Sequence, residues 1–164
     1  IINNIFFMNK KYVNIYNNLV QLSRNKDIYS EFTKKDTFSD RLLILLLHFA
    51  FLLRRIKETE AKDKAQDIHD SFFTQLELNL REIGHGDAKI NKFMKIYVNN
   101  FFNILNNIIP WENLSIDEKE SVIKNVLGLK LTSTKLINYF DRYSNYIKKT
   151  SLISFLKGVL NPKF

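Results

Sequence analysis

The sequence predicts an all-α chain, a single bundle of six or seven helices around a buried central helix at about residues 38–57. Three observations predict it. Only four glycines and two prolines interrupt the chain, so most residues belong to long regular elements. Apolar residues recur at steps of three and four along nearly every segment, which is the period of an amphipathic helix. The stretch Leu42–Leu53 is apolar on every side apart from His48. A run this short falls below the roughly 20 residues of a bilayer span, so it reads as a helix enclosed in a core, and the chain is not expected to be an integral membrane protein.

The elements follow in order. A first helix is expected from about Ile5 to Leu22, with Tyr12, Tyr16 and Leu19 on one stripe. Ser23 to Asp27 breaks the pattern, and Ile28, Tyr29 and Phe32 form a short apolar foot. Asp36-Thr37 or Ser39 starts the central helix, which exits at Arg54-Arg55, two cations suited to the negative end of a helix dipole. The third helix, about Glu60 to Ile83, is two-faced. Ala61, Ala65, Ile68, Phe72, Leu76, Leu80 and Ile83 line one side, and Asp63, Asp67, Asp70, Thr74 and Glu77 the other.

Leu80 to Asp87 is a tight joint. Gly84 supplies the left-handed residue that ends one helix, and Asp87 caps the next. That helix, about Ala88 to Asn107, carries Ile90, Phe93, Tyr97, Phe101, Leu105 and Ile108 on its inner stripe, widened by Met94, Val98 and Phe102. Ser115 to Glu118 has capping-box spacing and opens a helix that Gly128 ends near Leu127. Thr132 to Thr134 opens a sixth helix through Leu136, Phe140, Tyr143 and Ile147. Ser151 opens a seventh through Phe155 and Val159, stopped before Pro162.

Net charge is +8 and unevenly spread. Residues 1–87 hold 13 bases and 12 acids, whereas residues 88–164 hold 12 and 5. The basic half suits an anionic partner, either ribosome or other nucleic acid, or a lipid headgroup surface. No cysteine is present, so disulfides and thiolate metal sites are excluded.

Catalytic patterns are missing. His48 reads as a hydrogen-bonded core histidine, and His69 has no second histidine at helical zinc spacing. Glu82 and His85 match Glu-x-x-His once, where a di-iron bundle needs the pair twice. No phosphate loop and no nucleophile elbow occurs. The reading is therefore of no catalytic residue, no cofactor, no metal and no small-molecule substrate. Three charged residues need partners. Arg41, in the first turn of the central helix, calls for Asp36 or Asp40, while Arg81 and Glu82 flank apolar Leu80 and Ile83. Arg41, His48, Arg81 and Glu82 are expected to form one polar cluster against the central helix.

The ordered set Asp36-Thr37-Phe38-Ser39-Asp40-Arg41, Leu47-His48, Arg54-Arg55, Phe72-Phe73 and Leu80-Arg81-Glu82-Ile83-Gly84-His85-Gly86-Asp87, followed by Lys92, Met94 and Lys95, resembles the ubiquinol–cytochrome c chaperone family. The resemblance is strongest over about residues 28–95. It departs at Asp40, where the family usually has Gly, and at Leu42, where it usually has Phe. It implies a non-enzymatic assembly factor for respiratory complex III that binds newly made cytochrome b, or another subunit of that complex, with a small partner protein. The implied location is peripheral to the inner membrane, on the cytoplasmic side in a bacterium or the matrix side in a mitochondrion. The family motif then comprises Asp36, Thr37, Arg41, His48, Arg54, Arg55, Arg81, Glu82, Gly84, Gly86 and Asp87.

A client groove lined by Phe72, Phe93, Tyr97 and Phe101 is expected, because the aromatic count exceeds what one stripe per helix requires. Two alternatives stay open: a helical haem- or metal-handling oxidoreductase using His48 or His85, and a basic ribosome- or nucleic-acid-binding adaptor.

Overall fold

The computed structural model describes residues 12–30, 37–130 and 134–157. Among them are eight α-helices and no strand: α1 (Val13–Ser23), α2 (Lys26–Tyr29), α3 (Phe38–Lys57), α4 (Ala65–Glu82), α5 (Asp87–Ile108), α6 (Ile116–Leu127), α7 (Thr134–Lys149) and α8 (Leu152–Lys157). Short 3-10 turns at Lys62–Lys64 and Trp111–Asn113 lead into α4 and follow α5. The expectations placed on Ile5, Phe32, Asp36, Thr132, Ser133 and Val159 lie outside the described residues.

Helix α3 occupies the expected span and is the axle. Every residue from Ile44 to Arg54 is buried. With no polar face to offer water, α3 is enclosed by α1, α4, α5, α6 and α7. Its start is a capping box. The Asp40 amide donates to Thr37 Oγ1 at 3.2 Å, and the Thr37 amide donates to the Asp40 carboxylate at 3.1 Å. Asp40 thus serves the cap.

Two aromatic layers flank α3, because Phe49 and Phe51 point to opposite sides of the helix. Phe49 stacks on Phe72 of α4 at 3.9 Å and on Phe101 of α5 at 4.9 Å. Phe51 stacks on Phe140 of α7 at 5.5 Å and meets Trp111 edge-on at 5.2 Å. Such pairs add about 0.5–1.5 kcal/mol each beyond area burial. Trp111 is held in turn by Asp141, which accepts its indole N–H at 2.9 Å and pairs with Lys119 at 2.9 Å.

The joint between α4 and α5 is a Schellman turn. Gly84 adopts φ +98°, the Gly84 amide donates to the Arg81 carbonyl at 2.9 Å, and the His85 amide reaches the Leu80 carbonyl at 3.4 Å. Gly86, not Asp87, occupies the cap position of α5 and supplies no side-chain hydrogen bond. Asp87 is the first helical residue and turns back to pair with Arg81. Ile83, expected on the inner stripe, is 61% exposed because the chain leaves α4 at that residue. Gly128 ends α6 with φ +62°, as its position predicts.

Neither Gly84 nor Gly86 would bring an added Cβ within 4 Å of another group, so conformation alone separates them. Gly84→Ala is expected to lower stability by about 1–2 kcal/mol through its left-handed backbone. Gly86→Ser, which adds the missing cap, should raise stability by a few tenths of a kcal/mol. Urea unfolding of the two variants beside the parent checks both signs.

Candidate functional site

The family-motif residues divide into three places. The first is the core beside α3. His48 is fully buried, and its Nδ1 lies 2.8 Å from the Ile44 carbonyl, which can only accept. Nδ1 therefore carries the proton, Nε2 accepts, and the Tyr139 hydroxyl donates to it at 2.7 Å. Tyr143 donates to the His48 carbonyl at 3.1 Å. Burial lowers the His48 pKa to about 4 against the small opposing effect of the Ile44 bond, and burial raises Tyr139 and Tyr143. Histidine 48 is a neutral tie between α3 and α7.

The second place is the end of α3. Arg54 is not the solvated dipole cation that its position in the last turn suggests, for it is only 6% exposed. It donates to the Ile108 carbonyl at 2.7 Å and pairs with Glu112, so it clamps α3 to the turn after α5. Glu112 also accepts from Ser144 at 2.8 Å and pairs with Lys148 at 3.1 Å, which draws in α7. Burial acts to raise the Glu112 pKa, but the hydrogen bonds from Arg54, Ser144 and Lys148 outweigh it and hold the group at about 2. Arg55 is partly exposed and reaches the Lys148 carbonyl at 3.3 Å.

The third place is the α4–α5 hairpin. Arg81 is exposed and pairs with Glu77 at 2.8 Å and with Asp87 across the joint. Those hydrogen bonds, Glu77 first, raise its pKa. Glu82 is exposed as well. The expected cluster of Arg41, His48, Arg81 and Glu82 does not form: His48 faces Tyr139 and Tyr143, while Arg81 is spent within the hairpin. Helix α3 offers Arg81 no polar face, and acids on both sides of Gly84 do. Thr37 is consumed by its cap, and Arg41 is exposed with its Cζ 6.0 Å from the Tyr29 ring centroid.

The expected groove is also redistributed. Phe72 and Phe101 are 3% and 0% exposed and belong to the Phe49 stack, so they line no open groove. Phe93 and Tyr97 are half-buried. They stack on each other at 5.9 Å, His85 meets Phe93 edge-on at 5.5 Å, and Lys89 Nζ sits 5.5 Å over the Phe93 ring. No residue from Arg81 to Lys89 is buried, and Leu80 and Ile90, although buried, stand outside the contiguous core cluster. The closed end of the hairpin is thus an aromatic ladder with Lys89 over it, only partly packed.

Sequence reasoning passed over a cleft of about 240 Å³ between α1, the start of α3 and the end of α4, lined by Tyr16, Phe38, Arg41, Leu45, Leu80 and Ile83 among others. Phe38 and Arg41 come from one end of the motif, Leu80 and Ile83 from the other. Their sequence separation hides that convergence. No grouping of three or more His, Asp or Glu side chains able to hold a metal occurs among the described residues. No described helix is long and apolar enough to cross a membrane.

Residues 30–108, just under half of the chain, match the family described as ubiquinol-cytochrome C chaperone. Over those residues the chain is similar to the ubiquinol-cytochrome C chaperone family. The match begins just before α3 and ends with α5, so the family domain is the central helix together with the hairpin that packs on it. That match supports a ubiquinol–cytochrome c chaperone role in general terms, with a protein partner in complex III assembly. No curated protein and no solved structure gives a significant match to the chain.

A pH titration tests the His48 tie. Its pKa falls from 6.5 to about 4 on folding, so the unfolded chain binds the extra proton between those values and stability declines as pH drops through that window. About 3 kcal/mol is expected to be lost from this group. Glu112, lowered from 4.5 to about 2 on folding, adds its own loss only as pH falls through the unfolded value, so the His48→Gln comparison separates the two groups. Denaturant unfolding at pH 7 and pH 4 should show His48→Gln losing less over the interval than the parent.

Proposed function

We propose that this chain is a non-enzymatic assembly chaperone that holds newly made cytochrome b until it joins complex III. The match to the chaperone family over residues 30–108 is the observation that carries the reading. The protruding end of the α4–α5 hairpin supports it. An apolar client needs an apolar surface to lean on, and Phe93 and Tyr97 present a half-buried one, Tyr97 with its other side against the core. Ile96, on the same helix, is 42% exposed and extends the patch.

Lys89 lies over the Phe93 ring, and Lys92 and Lys95 follow on the same helix, both exposed, with no acid between them in sequence. In this reading they keep the hairpin close to an anionic membrane surface, where a cytochrome b segment emerges. Aromatic rings flanked by lysines suit that boundary, because the ring bodies are apolar and the amines remain hydrated. The chain then acts peripherally, by mass action on an exposed apolar client and without turnover.

Co-purification of cytochrome b from cells engaged in complex III assembly tests the function. The parent chain is expected to enrich cytochrome b over an unrelated helical protein. The double variant Phe93→Ala/Tyr97→Ala should reduce the yield about tenfold, equivalent to about 1.4 kcal/mol of contact energy. Equal recovery with parent and unrelated protein sinks the reading. In a separate flotation with phosphatidylglycerol vesicles, the parent should rise at low salt and stay behind at high salt, because exposed charges are screened. Salt-independent flotation would count against the lysine contact.

A further inference from the structure

The cleft between α1, α3 and α4 has a chemistry of its own. Its floor is apolar: Leu42, Leu45, Leu76 and Leu80 are each at most 6% exposed. Its rim carries two large apolar side chains that the fold leaves in water, Phe38 at 50% and Ile83 at 61% exposure. An open cleft of about 240 Å³ is smaller than the roughly 300 Å³ at which small-molecule pockets begin, and it suits one or two side chains.

The polar groups in the cleft are mostly donors. Tyr16, 4% exposed, accepts a hydrogen bond from Asn79 Nδ2 at 2.8 Å, while its own hydroxyl proton meets no acceptor among the described residues. A buried hydroxyl normally donates as well as accepts. Arg24 lines the same wall, acts on Tyr16 through its charge and makes no ion pair among the described residues. Arg41 brings a second guanidinium. One acid, Glu82, is near enough to influence Tyr16, and its effect is weaker than that of Arg24. The unmet requirement, at Tyr16 and Arg24, is for an acceptor, and a guanidinium favours a carboxylate, which it can bind in bidentate fashion.

We propose that this cleft docks a protein segment presenting an apolar side chain next to a carboxylate. It is a second contact surface, separate from the hairpin assigned to cytochrome b, and it does not depend on that assignment. The apolar residue enters between Phe38 and Ile83 and rests on Leu45 and Leu80. The carboxylate accepts from the Tyr16 hydroxyl and from Arg24.

The test is a nuclear magnetic resonance titration of the isotope-labelled full chain with N-acetyl-phenylalanyl-glutamyl-leucine amide and with its glutaminyl counterpart. The glutamyl peptide is expected to shift Leu45, Leu80 and Ile83 methyl resonances and to bind about tenfold more tightly than the glutaminyl peptide. Arg24→Ala, an exposed change that leaves the core intact, should remove most of that preference. Tyr16→Phe, which deletes a single oxygen, should remove part of it. Absence of shifts at millimolar peptide overturns the proposal. So does equal binding of both peptides, or a response confined to Phe93 and Tyr97. Displacement of the same methyl resonances by phosphatidylglycerol vesicles and not by peptide would assign the cleft to lipid and overturn it too. None of these outcomes bears on cytochrome b recovery, so the two readings fail separately.

Discussion

A helix with no polar face must be surrounded, and α3 imposes that demand on the rest of the chain. Eleven consecutive residues of it, Ile44 to Arg54, are hidden from solvent. Five other helices are spent on covering them. The burial is largely hydrophobic and therefore weakly directional. Direction comes from the two polar residues inside the run. His48 and Arg54 have little freedom in where their hydrogen bonds go, because an unpaired polar group at either place costs about 1–3 kcal/mol or more. His48 ties to Tyr139 and Arg54 to Ile108 and Glu112, so α7 and the turn after α5 are set in register by two bonds from one helix.

What the axle does not need, it leaves at the periphery. The C-terminal half of α5 is drawn into the core through Phe101, Ile104, Leu105 and Ile108, and the N-terminal half is held through Ile90 with the Phe93–Tyr97 ladder only half covered. Likewise Phe38 and Ile83 lie where α3 begins and α4 ends, beyond the reach of the enclosing helices. Both surfaces offered for function thus fall at helix ends, where the demand to cover α3 stops. They differ in charge placement. A lysine covers part of an aromatic patch on the hairpin, whereas arginines and a hydroxyl edge an apolar cleft at the start of α3.

Residue types with strong local consequences were legible. The bounds of α3, the Schellman turn at Gly84, the Ser115–Glu118 box and the left-handed Gly128 all follow from capping chemistry that acts over a few residues. The family motif was legible for the same reason, since it is an ordered string. Charged groups misled where their partners were distant or competing. Arg54 sits where a dipole cation belongs, and only the approach of Glu112, 58 residues away, turns it into a buried clamp. Arg81 had acids within reach on its own hairpin and no polar surface on α3.

The chain's sequence by itself determined an all-helical fold, its central buried helix and the position of its joint, because helix periodicity and capping are encoded within a few turns. The tertiary structure decided which aromatics are core and which are surface. Phe72, Phe93, Tyr97 and Phe101 share the same helical spacing, yet Phe49 claims the outer two of the four and leaves the middle two half-exposed. Whether a stripe meets a neighbouring helix or stops short of it depends on where that neighbour ends. That is a property of the packed bundle and not of any single segment.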